Sequence, residues 1–159
     1  MNLVTLPLAL LIALSTLPAL LSRAEDQGGP ARKDLDRMQG EWALVSGVAD
    51  GYAIPEAMRK DFRRVCKGDE VATTVGGRVV IKATVKLDPA KSPKTIDFAV
   101  TDGPTKGKTQ LGIYAIEGDT FKSCFAAPGG ERPTDFTSKP GDGRTATEWK
   151  RATPPAKNP

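Results

Sequence analysis

The chain has 159 residues, with 23 Lys and Arg against 19 Asp and Glu, no histidine and two cysteines. That length suits one domain with a real core, and the net charge of +4 is spread too thinly for a nucleic-acid surface. Lack of histidine removes the commonest general base and metal ligand, and two distant cysteines do not form a zinc pattern.

Residues 2–22 carry no charge and include the run Leu8-Ala9-Leu10-Leu11-Ile12-Ala13-Leu14. Pro18 interrupts the run, and Ser22-Arg23-Ala24 places small residues at the two positions a signal peptidase inspects. Residues 1–24 therefore read as a signal peptide cleaved before Glu25, with no stable membrane span afterwards and a secreted or periplasmic location. An uncleaved anchor fits less well, because Pro7 and Pro18 punctuate the run. Residues 25–34 are polar and read as a flexible tail, leaving 35–151 as the folded domain.

From Gly40 onward, turn signals arrive at short intervals. Trp42 to Val48 reads as a strand stopped by Asp50-Gly51. Residues 55–61 read as a short helix, with Pro55 at its first turn. Phe62 to Lys67 and Val71 to Val75 are further strands, separated by Gly68-Asp69 and followed by Gly76-Gly77. Val79, Ile81, Ala83, Val85 and Leu87 alternate with other residues and so share one strand face. Ile96, Phe98 and Val100 repeat the alternation.

Asp102-Gly103-Pro104-Thr105-Lys106-Gly107-Lys108-Thr109 has the look of a phosphate-cradling loop. Its spacing between Gly103 and the Gly107-Lys108 pair is one residue short, and Pro104 removes a backbone donor. Strand-like residues follow where a phosphate loop requires a helix. The stretch is expected to link two antiparallel strands.

Gln110 to Ile116 and Thr120 to Ala126 flank the compact turn Glu117-Gly118-Asp119; Thr134 to Ser138 and Thr145 to Arg151 complete the set. Residues 152–159 hold three prolines and read as a second flexible tail. Eight or nine short strands with one short helix predict an all-β fold, an antiparallel up-and-down barrel. Closure also removes the exposed edges of a long meander.

Gly40-Glu41-Trp42 resembles the opening motif of lipocalin-type barrels, where the Trp closes one end beneath a basic side chain from the last strand. Arg151 is expected to supply that partner through a cation–π contact of roughly 0.5–2 kcal/mol. A broader resemblance runs from Met38-Gln39-Gly40-Glu41-Trp42 through Lys67-Gly68-Asp69, Leu87-Asp88-Pro89 and Ile96-Asp97 to Asp102-Gly103-Pro104. It continues through the Glu117-Gly118-Asp119 hairpin to Phe136 and Ser138-Lys139-Pro140-Gly141. Over residues 35–151 the chain is similar to an exported domain family expanded in planctomycete bacteria, which has no assigned function. The resemblance implies a lipocalin-like barrel and brings no catalytic residues.

Cys66 and Cys124 leave two readings open. A disulfide would close a long loop and stabilise by about 4 kcal/mol; otherwise both are buried free thiols. The carboxylates sit mainly at turns, where they bond local backbone, and with no nucleophile–base set the chain reads as no enzyme, needing no metal and no cofactor. The functional expectation is a barrel binding a small hydrophobic or amphipathic ligand, with Tyr114, Arg132 and Phe136 near its mouth and Leu111 to Ala115 among its inward rows. The alternative is a filled barrel acting as an extracytoplasmic module for a protein or polysaccharide of the cell envelope, through loops 101–109, 127–133 and 139–144.

Overall fold

The computed structural model describes residues 29–152. Nine strands follow one another as β1 (Gly40–Ala49), β2 (Tyr52–Ala53), β3 (Phe62–Lys67), β4 (Glu70–Val75), β5 (Arg78–Asp88), β6 (Lys94–Asp102), β7 (Thr109–Glu117), β8 (Thr120–Phe125) and β9 (Thr145–Arg151). Every pairing is antiparallel. β9 returns to pair with β1 from Trp42↔Arg151 to Ala49↔Thr145, which closes an eight-stranded barrel. The short β2 pairs only with the end of β1 and lies outside the closed ring.

Local chemistry explains the meander. Gly76 and Gly77, both at positive φ, make the two-residue turn between β4 and β5, a backbone that side-chain-bearing residues resist. Register shifts between Leu44 and Ser46, at Val80 and at Thr101 add an unpaired residue and bend the wall toward closure. The shift at Val80 also corrects the expected apolar row. Ile81 opposes the inward Thr73, whereas Val79 opposes Thr74 and is exposed.

The interior is rich in aromatic rings. Trp42, Phe98, Phe121, Phe125 and Trp149 are buried, with Trp42 and Phe121 at 5.9 Å and Phe98 and Phe125 at 4.3 Å between ring centres. Gly112 lies against the Phe125 ring, where an added Cβ would approach the ring to 2.5 Å. In β7 the inward residues are Gly112, Tyr114 and Ile116, paired with Phe125, Ser123 and Phe121. Leu111, Ile113 and Ala115 face outward, one position out of step with the expected row. Hydropathy alone misleads here because Ile113 is also buried, beneath the connection from β8 to β9.

Two helices are present among the described residues, one more than expected. α2 (Glu56–Arg59) follows Pro55 as anticipated. α1 (Pro30–Met38) lies largely in the stretch read as a flexible tail, and it seals one end of the barrel. Met38 and Leu35 pack onto the core, and the Trp42 indole Nε1 donates to the Met38 carbonyl at 2.8 Å. Residues 134–138 form no strand; they belong to the long β8–β9 connection. The anticipated signal peptide and nearly all of the C-terminal tail lie outside the described residues. No helix among the described residues is long and apolar enough to cross a membrane.

Candidate functional site at the open end of the barrel

The end opposite α1 is formed by the starts of β3, β5, β7 and β9 and the ends of β1, β4, β6 and β8. Its rim is organised by the β8–β9 connection. Ser138 Oγ accepts from the Gly51 N–H at 2.9 Å and donates to the Arg144 carbonyl at 2.8 Å. The Asp50 N–H also donates to that carbonyl, and Asp50 Oδ1 accepts from the Gly143 N–H. These bonds hold the connection against the β1–β2 turn. Beneath the rim lies a cavity of about 310 Å³, lined by Ile81, Phe98, Phe125, Ala127, Pro128, Gln110, Thr145 and Arg64.

Arg64 is the unexpected member. β3 alternates Phe62, Arg64 and Cys66 toward the interior, so strand parity carries a guanidinium into an apolar barrel. It is only 5% exposed. Its Nε donates to Thr73 Oγ1 at 3.1 Å, and its plane lies 4.1 Å from the Trp149 ring centre, with Phe121 and Phe98 at 5.7 and 5.9 Å. Trp149 is itself fixed by an Nε1–H bond to Thr147 Oγ1. Aromatic faces recover part of the desolvation of a cation, but Nη1 has no hydrogen-bond partner. Burial pulls the Arg64 pKa down to about 10; Cys66 opposes that shift, and no carboxylate contributes.

Larger hollows exist on the outer surface, but among the described residues no buried orphan polar atom marks them. The groove of about 460 Å³ beside the β5–β6 connection contains Arg132, whose Nη1 already bonds Asp97 Oδ1 and the Gly112 carbonyl, both at 2.7 Å. The open-end cavity is therefore the candidate site.

Comparison with family models, with curated proteins and with solved structures finds no match. The family resemblance rests on the sequence motifs alone.

None of the three anticipated mouth residues lines this cavity. Tyr114 lies at the opposite, closed end, where its hydroxyl donates to Asp34 Oδ2 at 2.8 Å. Burial and Asp34 push its phenol far above the ordinary value, so it stays a donor. Arg132 faces the outer groove, and Phe136 lies on the outer surface among Val48, Lys122 and Ala146.

At the closed end the Arg151 guanidinium lies 4.3 Å from the Trp42 ring centre. It donates to the carbonyls of Gln39 at 2.6 Å and Arg37 at 2.9 Å and to Asp119 Oδ1 at 2.9 Å. Gly40, at positive φ, lies beside the same guanidinium. Gly40, Trp42 and Arg151 are thus brought together.

Cys66 and Cys124 are not; both thiols are free, which corrects the disulfide reading. Cys66 packs in the barrel core, whereas Cys124 pairs across with the outward Ile113 and contacts the Thr137 carbonyl at 3.6 Å. The barrel wall separates them. Burial pushes the Cys66 thiol up despite Arg64 and Arg151, and pushes Cys124 up to about 11.

Arg64 was legible only through parity. Placing Phe62 and Cys66 inside obliges the residue midway between them to follow, whatever its charge. Asp34 had no comparable signal, because its helix has few apolar residues and its partners Lys94 and Tyr114 are remote in sequence.

Proposed function

We propose that this protein is an exported binding barrel that holds a small hydrophobic or amphipathic ligand in its open-end cavity. The observation that carries the reading is the cavity of about 310 Å³ beneath the rim, walled by Ile81, Phe98 and Phe125. That volume is at the small end of the range for ligand pockets, and a mostly apolar lining with a few polar groups is their usual make-up. The opposite half of the barrel is filled by Trp42, Tyr114, Phe121 and Ile116, so a ligand would sit high, near the rim. The polar residues lining the cavity, Arg64, Gln110 and Thr145, include no general base beside a nucleophile, which favours carriage over catalysis. Export rests on residues 1–24 of the sequence.

Titration with an environment-sensitive apolar dye tests the reading, with native mass spectrometry of gently extracted protein as a second measure. One dye per chain, lost in an Ala127→Trp variant that fills the entrance, is the expected outcome. Dye binding unchanged by that variant would remove the cavity from consideration.

A further inference from the structure

We infer that the open-end cavity selects a monoanionic head group, in the first instance the carboxylate of a small apolar acid, and that Arg64 is the residue that recognises it. The inference rests on the binding-barrel reading and adds to it the charge of the ligand. Arg64 is a buried cation with no acidic partner among the described residues, an Nη1 amino group without a hydrogen-bond partner, and a place in the wall of a cavity. A guanidinium left in that state is a standing electrostatic demand. It is met when a planar carboxylate accepts its N–H groups.

The count of charges narrows the class further. Among the described residues Arg64 is the only cation lining this cavity, so a single negative charge balances it, whereas a dianionic phosphate would enter with one charge uncompensated. Thr73, which holds Nε, orients the fork, and among the described residues no protein group takes the Nη1 hydrogens. Phe98, Phe125 and Ile81 then meet the apolar body of the acid. An alternative role for Arg64 is purely structural, with Thr73 and the rings of Trp149, Phe121 and Phe98 as its partners. The two roles differ in what head groups the protein distinguishes.

Calorimetric titration of the wild-type chain with octanoate, octanol, octylamine and octyl phosphate separates them. Octanoate is expected to bind roughly ten- to a hundredfold tighter than octanol, the range of one hydrogen bond to a charged group, with octylamine weakest and octyl phosphate below octanoate. Arg64→Met is expected to erase the preference for octanoate, to keep octanol binding and to melt no lower than the wild type. Equal affinities of octanoate and octanol for the wild type would overturn the head-group inference and leave the apolar cavity standing. Absence of binding by all four probes would remove the binding barrel itself. If Arg64→Met does not fold, Arg64→Lys keeps the charge. Retained preference for octanoate in that variant supports the inference, and loss of discrimination in a folded Arg64→Lys barrel counts against it.

Discussion

Asp34 and Arg64 are buried charges with opposite surroundings. Asp34 accepts from Tyr114, from Lys94 Nζ at 2.7 Å and from Arg37 at 3.4 Å, and is 5% exposed. Burial alone would raise its carboxyl, but hydrogen bonds from Lys94 and Tyr114 and the charges of Lys94 and Arg37 hold it below the usual value. A carboxyl depressed by folding contributes stability that is complete above the unfolded value of about 3.9 and is lost as pH falls through the folded value. Asp34→Asn should cost about 1–3 kcal/mol at neutral pH, less than a fully buried pair because Lys94 and Arg37 are partly in water. Thermal melts of both proteins from pH 7 downward check this: the gap should close only below pH 4, and a gap independent of pH would count against the ionic account.

At the scale of elements, β7 and β8 are coupled through a missing side chain. Gly112 leaves room for the Phe125 ring, which in turn packs on Phe98 and walls the cavity. Gly112→Ala should force that ring toward the open space, destabilising by about 1–3 kcal/mol and weakening dye binding together. Urea unfolding and the dye titration measure the two effects; a stable variant with full dye binding would show that the ring has another place to go. The same pair of strands shows what sequence reading could and could not recover. Hairpins and strand order were legible, because turn glycines and β-branched runs are local signals. Which face of β7 turned inward was not, since Leu111, Ile113 and Ala115 look as core-like as Tyr114 and Ile116. Only the β8–β9 connection, folded back over Ile113 and Cys124, creates that second apolar environment. The helix α1 was missed for a related reason: its Asp34 is held by Tyr114 and Lys94, residues far along the chain.

For the whole molecule, closure of β1 on β9 makes the covalent link between the two cysteines unnecessary. Both are buried free thiols on opposite sides of the wall. Reductant should therefore leave the melting temperature unchanged, and both thiols should react with a disulfide reagent far more slowly in buffer than in urea. A disulfide across this loop would instead make reduction cost about 4 kcal/mol, so a marked drop on adding reductant would contradict the free-thiol arrangement.

The barrel also has a direction. α1 enters at the sealed end, and β9 leaves there too, with Arg151 over Trp42 and the Ala152 N–H on the Glu41 carbonyl. Both exits of the folded unit thus lie on the side away from the cavity. Whatever is joined to either terminus, whether a surface linker, an affinity tag or a neighbouring domain, would present the entrance outward like a cup held by its base.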